Sequence, residues 1–332
     1  MLPLPNEASQ SPTVLSPSFA TAGQILPQIL PQILPNLGIT KQRFRQVESI
    51  CLVREQRANG RQELAFNARP FVLCGLPLRR RPSTELVHRR RNGKFSLHVV
   101  AHPDFGLPFG QDRLIPIWVA TLALRQKSRE IHFDSAAQML DFFHLPKDGP
   151  HYRRFVEGFK RLFGATIFFG TEDQPHSAPF LDWSRFHFFD GLKLWFDTAQ
   201  DELSSASRHD NAITVSEAFY REIDAHRIPV EREIVAALAH APGVLDFYIW
   251  LVWKNWTNHG AVVRIPLVGP GSLKEQLGVA DYPLERTFRL TLRRWLRTVR
   301  ALWPECPARL SEDHSALVIA SSRGVGPICP AP

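Results

Sequence analysis

The segment Tyr282 to Leu302 constrains the chain most, because only a helix reconciles its two kinds of residue. Arg286, Arg289, Arg293, Arg297 and Arg300 recur at spacings of three, four, four and three, which places them within about 80° of one another on a helix. Leu284, Phe288, Leu292, Trp295, Val299 and Leu302 fall on the opposite side. Such a helix lays one flank on a core and turns the other outward. The stripe holds no lysine, and arginine is the side chain matched to phosphate oxygens and guanine edges. The spacing therefore predicts a nucleic-acid helix anchored in a packed domain, stopped by Pro304.

The elements around it repeat in order. In the second half, a helix Pro242 to Trp256 precedes a strand Ala261 to Pro266, a short helix Ser272 to Leu277, the arginine helix, and strands at Arg309-Leu310 and Ala316 to Ala320. In the first half, a strand Lys94 to Val100 leads to a helix Asp112 to Lys127, a strand Arg129 to Phe133 and a helix Ala136 to Phe143. Leu145 to Gly149 is a turn by composition, followed by a helix Pro150 to Phe163 and a strand Ala165 to Phe169. Strands Arg185 to Phe189 and Leu192 to Phe196 flank Asp190-Gly191, a hairpin signal. Helix, strand, helix, turn, helix and β wing is the order of a winged helix. The expected fold class is thus α+β, two tandem winged-helix (helix-turn-helix) domains preceded by a disordered and basic N-terminal arm.

The expected boundaries are a Pro-rich arm at 1–40, a basic arm at 41–93, the first winged helix at 94–200, the second at 201–323 and a tail at 324–332. Residues 1–40 lack Lys and Arg and repeat Gln-Ile-Leu-Pro three times, a proline frequency that denies a helix its donors. Between Lys41 and Lys94 stand 14 Lys/Arg against four Glu, more than the whole +8 of the chain. The triplets Arg79-Arg80-Arg81 and Arg89-Arg90-Arg91 suit phosphate. Ser-rich Asp201 to Asp210 reads as a linker. On the first-half helix, Phe155, Phe159, Leu162 and Phe163 form a core stripe, while Arg153, Arg154, Lys160 and Arg161, with Lys147 ahead, form a basic face. The N-terminal residues of a second helix-turn-helix helix lie nearest base edges. Arg153, Arg154, Arg286 and Arg289 are thus the expected base readers, and Arg297 and Arg300 the expected phosphate contacts.

Catalytic signals are absent from the pattern. There is no G-x-x-x-x-G-K-[ST], no G-x-G-x-x-G and no C-x-x-C. His98 and His102 sit on a strand-to-turn segment where their spacing converges on nothing. Glu172, Asp173, Asp182, Asp190 and Lys193 resemble a metal-dependent nuclease only loosely. No apolar run reaches the roughly 18–20 residues of a membrane span, and the first basic residue, Lys41, leaves no charged region for a secretory signal. Scattered Cys51, Cys74, Cys306 and Cys329 suit a reducing compartment. No cofactor, metal or catalytic residue is expected, and no membrane.

Four motifs carry a resemblance. Gly106 to Arg113 (GLPFGQDR), Arg125 to Ser128 (RQKS), Leu145 to Gly149 (LPKDG) and Phe163 to Gly170 (FGATIFFG) resemble the RepA-type plasmid replication initiators, with weaker matches at Ala241-Pro242-Gly243 and Leu277-Gly278-Val279. The resemblance runs from about Lys94 to Ser321. It implies a cytoplasmic, non-enzymatic protein that binds repeats of double-stranded DNA in a plasmid origin, helps open the duplex and recruits a host replication initiator and helicase. It also implies dimers that repress their own gene. A repressor of the same fold without an initiation role and a rolling-circle nicking enzyme are the alternatives. Consecutive Phe188 and Phe189 on one strand point to opposite faces, which predicts an exposed aromatic edge and a homodimer through the first domain.

Overall fold

The computed structural model describes residues 41–172, 181–194, 211–258, 261–277 and 284–320. The Gln-Ile-Leu-Pro repeats, the linker 201–210, Asp173, Tyr282, Cys329 and the tail lie outside them. Residues 49–332 form one compact unit, and residues 1–48 another, of which 41–48 begin the first helix.

In chain order the elements are α1 (Lys41–Ala58), β1 (Leu64–Ala68), α2 (Arg69–Leu73), β2 (Val87–Asn92), β3 (Phe95–Val100), α3 (Leu114–Gln126), β4 (Glu130–Phe133), α4 (Ala136–Phe142) and α5 (Gly149–Phe163). Then come β5 (Thr166–Glu172), β6 (Leu181–His187), β7 (Phe189–Lys193), β8 (Asn211–Val215), α6 (Glu217–His226), β9 (Arg227–Glu231) and α7 (Arg232–Leu238). The chain closes with α8 (Pro242–Thr257), β10 (Val263–Pro266), α9 (Leu273–Leu277), α10 (Glu285–Leu302), β11 (Ala308–Leu310) and β12 (Ala316–Ile319). The result is a mixed α+β fold.

Two helices are apolar nearly all round and so lie inside. On α3, Leu114, Ile115, Ile117, Val119 and Ala120 are fully buried and Trp118 nearly so. On α8, Leu245, Phe247 and Trp250 are fully buried. Each begins where its sequence allows. The Asp112 carboxylate accepts the Phe109 amide at 2.8 Å in the 3-10 turn ahead of α3, and Pro242, which has no N–H to lose, opens α8.

Each buried helix is followed by a three-stranded antiparallel sheet of the same spatial order. In chain order, the first, third and second strands stand side by side: β4-β8-β7 in one, β10-β12-β11 in the other. The described residues form two more sheets, β2-β3-β5-β6 and β1-β9.

Several expectations are corrected. The Asp190-Gly191 hairpin does not form. Both residues lie within β7, next to a register shift at Phe189/Gly191. β6 pairs with β5, whereas β7 pairs with β8, so the chain changes sheets at Phe188. At that crossing Phe188 and Phe189 are both buried, at 0% and 2% exposure, because the core lies between the two sheets. The expected exposed aromatic edge is absent here. Strand β8, placed by its number in the second domain, completes the first three-stranded sheet, so pairing crosses the expected boundary at 200/201.

The segment 41–93 is not an arm where the structure describes it within the compact unit. Val53, Ala65, Ala68, Phe71, Val72, Leu73 and Leu76 enter the core, and β1 pairs with β9 from Leu64↔Glu231 to Ala68↔Arg227. Its charges are partly consumed. Arg57 bridges Glu231 and Glu305, Arg69 meets Glu222 at 3.1 Å, and Arg90 donates to the Leu277 carbonyl. These acceptors come from more than 150 residues away, which no local pattern reveals.

One buried group in this segment carries a pH dependence. His88 is 6% exposed and pairs through Nε2 with the Gly75 carbonyl at 3.1 Å. Burial, with Arg90 alongside, lowers its pKa from the usual 6.5 to about 4. The neutral ring is therefore the folded form, and the unfolded chain takes up the proton first as pH falls. Its contribution is fully present above pH 6.5 and is lost progressively down to pH 4, by about 3 kcal/mol. Urea titrations at steps between these values should show that decline, and His88→Gln should flatten it. An equally steep decline in the variant would assign the effect to other groups.

Candidate nucleic-acid interface

Helix α10 divides into two flanks. Phe288, Leu292, Trp295, Leu296, Val299 and Leu302 are buried, and Trp295 packs on Phe247 of α8 with centroids 6.1 Å apart. Leu284, expected on this core side, is 67% exposed just ahead of the helix, and Leu296 takes the inward place instead. On the other flank Arg286, Arg293, Arg297 and Arg300 are exposed, joined by Arg294, which the three-four spacing had passed over. Among the described residues no carboxylate forms a salt bridge with any of these five. Arg289 is set apart: it is half-buried, and its guanidinium lies 4.0 Å from Glu285. Arg286, Arg289, Leu290 and Arg293 line a shallow groove beside Glu285. From Arg286 to Arg293 the helix rises about 10 Å, close to the width of a duplex major groove. Arg297 and Arg300 extend the stripe to about 21 Å.

The turn between β11 and β12 carries Glu312 and Asp313. Asp313 accepts hydrogen bonds from Ser311 Oγ, from the Ser315 amide at 3.2 Å and from Ser315 Oγ at 2.6 Å. These bonds, with Arg264 nearby, hold its carboxyl well below the usual carboxylate range. The Arg264 guanidinium bridges Asp313 at 3.2 Å, and exposed Glu312 stands beside it. In this half the arginine helix offers the longest run of exposed charge to a polyanion, with exposed Arg309 on β11 beside the turn.

Helix α5 is different. Its N-cap Asp148 accepts the His151 amide at 2.9 Å, and that bond, with the His151 side chain, lowers the Asp148 pKa. Phe155, Phe159 and Leu162 are buried as expected, whereas Phe163 is 42% exposed. Every basic residue of the expected face has a partner. Lys147 Nζ lies 2.8 Å from Asp141, a hydrogen bond that raises its pKa. Arg153 donates to the Gly149 carbonyl at 3.4 Å, Arg154 to Gln111 Oε1 at 2.6 Å and Lys160 to Glu157 at 2.8 Å. Arg153, Arg154, Lys160 and Lys147 still reach solvent. Arg161 does not join them. Its guanidinium is clamped by both oxygens of buried Asp112 at 2.7 and 2.9 Å and stacks over Phe109 at 4.7 Å. Arg161 is a structural ion pair between α5 and the turn before α3. The carboxylate that takes Arg161 stands within the Gly106 to Arg113 motif.

The basic segment adds one group near α10. Arg79 lines a groove with Ala241, Pro242, Gly243 and Trp295, which sets it at the N-terminus of α8. No cluster of three or more His, Cys, Asp or Glu among the described residues could hold a metal ion. No helix among them is long and apolar enough to cross a membrane.

Residues 151–261 match the family model for plasmid encoded RepA protein, which supports a RepA-type replication initiator family. The match covers a third of the chain, from α5 through α8, and stops before α10. No curated protein matches the chain. Among solved structures, domains 2 and 3 of RctB are similar in two crystal structures. One has 12% identity and a TM-score of 0.42 over 75% of this chain and 94% of that one. The other has 14% identity and a TM-score of 0.44 over 77% and 92%.

Proposed function

We propose that this chain is a plasmid replication initiator that binds duplex origin repeats, with α10 as its principal base-reading helix. The observation that carries this is the flank of α10, five exposed arginines that no carboxylate neutralises among the described residues. The RepA family match over 151–261 supports the initiator role. The two sheets of identical strand order, each preceded by a buried helix, support a tandem winged-helix architecture, with β4-β8-β7 and β10-β12-β11 as the two wing sheets. The halves then follow strand pairing, with β8 assigned to the first.

In this reading Arg286 and Arg293 contact base edges, while Arg297 and Arg300 contact phosphate. Arg153, Arg154, Lys147 and Lys160 are weaker phosphate contacts, because each must first leave a partner. Opening of the origin and recruitment of a host initiator and helicase complete the role, with no catalysis by the chain itself. A homodimer and autorepression come with the family resemblance rather than from an aromatic edge.

The test begins with a footprint on the DNA upstream of the gene and on the origin. On that site Arg286→Ala and Arg293→Ala should each cost about 1–3 kcal/mol and relax sequence preference, whereas Arg297→Ala and Arg300→Ala should weaken all sequences alike. Equal losses on specific and random duplex from Arg286→Ala would remove base reading from α10. Permanganate-reactive thymines in a supercoiled origin distinguish an initiator from a repressor. A nicked product with magnesium would instead support an enzyme.

A further inference from the structure

We propose that the outer face of the sheet β2-β3-β5-β6 binds single-stranded DNA, with Phe168 and Trp183 as stacking platforms and Arg89, Arg91 and Arg185 as phosphate contacts. The proposal rests on the initiator reading and adds to it a second surface, for the strand that an opened origin exposes.

Directly opposed residues of antiparallel strands share a face. The register gives one cross-strand row of Arg89, His98, Phe168 and Arg185. The next row is Arg91, Ser96, Gly170 and Trp183. The alternate row on the reverse face, through His88, Val99, Ile167 and Phe186, is buried at 0–6% exposure, so the reverse face is the core and the two rows turn outward. Arg89, Arg91 and Arg185 are exposed, and Phe168 and Trp183 are half-buried. Neither row contains a carboxylate. The outer row places arginines at both edges of the sheet, about 14 Å apart across three strand spacings, with an aromatic ring between them.

The Trp183 position is built. A Cβ on Gly170 would lie 2.8 Å from Trp183 Cγ and 2.2 Å from the Asp182 carbonyl. Glycine there lets the indole lie down across the neighbouring strand, and it packs on His98 with ring centroids 4.9 Å apart. A ring laid on a sheet cannot enter a duplex groove, where bases hide their faces in the stack. It suits unpaired bases, whose faces are open, and any base has one. Arginines around such rings supply the sequence-independent phosphate attraction.

The full chain is titrated by fluorescence anisotropy with a labelled oligonucleotide of about 20 thymidines and, separately, with the footprinted duplex. Arg89→Ala combined with Arg185→Ala should weaken the thymidine strand about tenfold or more and the duplex less than twofold. Phe168→Leu, which keeps an apolar side chain, should weaken the strand about fivefold through lost stacking. Arg286→Ala with Arg293→Ala should do the opposite, weakening duplex and sparing the strand. A wild-type chain that binds duplex but not the strand overturns the proposal and leaves the initiator reading standing. Equal losses on both ligands from the Arg89/Arg185 pair also overturn it, because the face is then a general basic surface. Failure to bind either ligand overturns both readings.

Discussion

Phe188→Ser is expected to destabilise the folded chain by about 3–5 kcal/mol, the cost of emptying a phenylalanine site in a core. The ring is fully buried. It stacks on Phe71 at 5.0 Å and 21° and meets Phe219 edge-on at 5.2 Å and 75°. Three segments far apart in the chain therefore converge on it: α2, the crossing between β6 and β7, and α6. The serine also introduces a hydroxyl that has lost water. Urea unfolding followed by tryptophan fluorescence should show a large drop in midpoint. Phe163→Ser is the control: that ring is 42% exposed, and surface substitutions fall within about 0.5 kcal/mol. Equal, small effects from the two variants would place Phe188 outside the core. Sedimentation of the wild-type chain separates the question of dimerisation from this ring, which has no free edge to offer a second copy.

Arg113→Ala is the second large effect, expected at about 3–5 kcal/mol because it breaks a buried ion pair from one side. Arg113 ends the turn before α3 and is 6% exposed. Its Nη1 donates to Asp246 at 2.6 Å, Nη2 to the Leu76 and Pro77 carbonyls at 3.0 and 2.9 Å, and Nε to the Gly110 carbonyl at 2.9 Å. Asp246 lies on α8, so one guanidinium ties the two buried helices and the loop after α2. Gly75 leaves the space: a Cβ there would stand 2.9 Å from Asp246 Oδ2. Arg113→Lys should recover little, since a point charge cannot serve four acceptors in a planar fork. Asp246→Asn, which keeps the shape and leaves the three carbonyls served, should cost about 1–3 kcal/mol. A lysine variant as stable as the wild type would show that charge alone, not the fork, holds the helices.

The buried faces of α5 and α10 were legible because a helix brings residues three and four apart together without help from the rest of the chain. Phe155, Phe159 and Leu162, and Phe288, Leu292, Trp295 and Val299, are buried as their spacing required. The strand β8 is not legible in the sequence, although Asn211 to Val215 alternates in burial, because a Ser-rich stretch adjoins it and its partners β4 and β7 lie before that stretch. The core role of segment 41–93 is hidden in the sequence for a related reason. Its core residues, such as Phe71 and Leu73, come in a short run between arginines, and their partners lie on α6 and α8.

By itself the sequence determined which side of α10 carries the arginines and which must be buried, since 3.6-residue periodicity is a local property of the backbone. It also determined the concentration of charge before Lys94 and the motifs shared with RepA-type initiators. Only the tertiary structure decided which of those charges are still available. Arg161 and Arg297 look alike on their helical wheels. One is clamped by Asp112, 49 residues away, and the other has no carboxylate bridging it among the described residues. Whether a guanidinium is free depends on where a distant carboxylate packs, and strand partners are likewise chosen by pairing across the chain. Such contacts exist only once the chain has closed on itself, and no periodicity along the sequence records them.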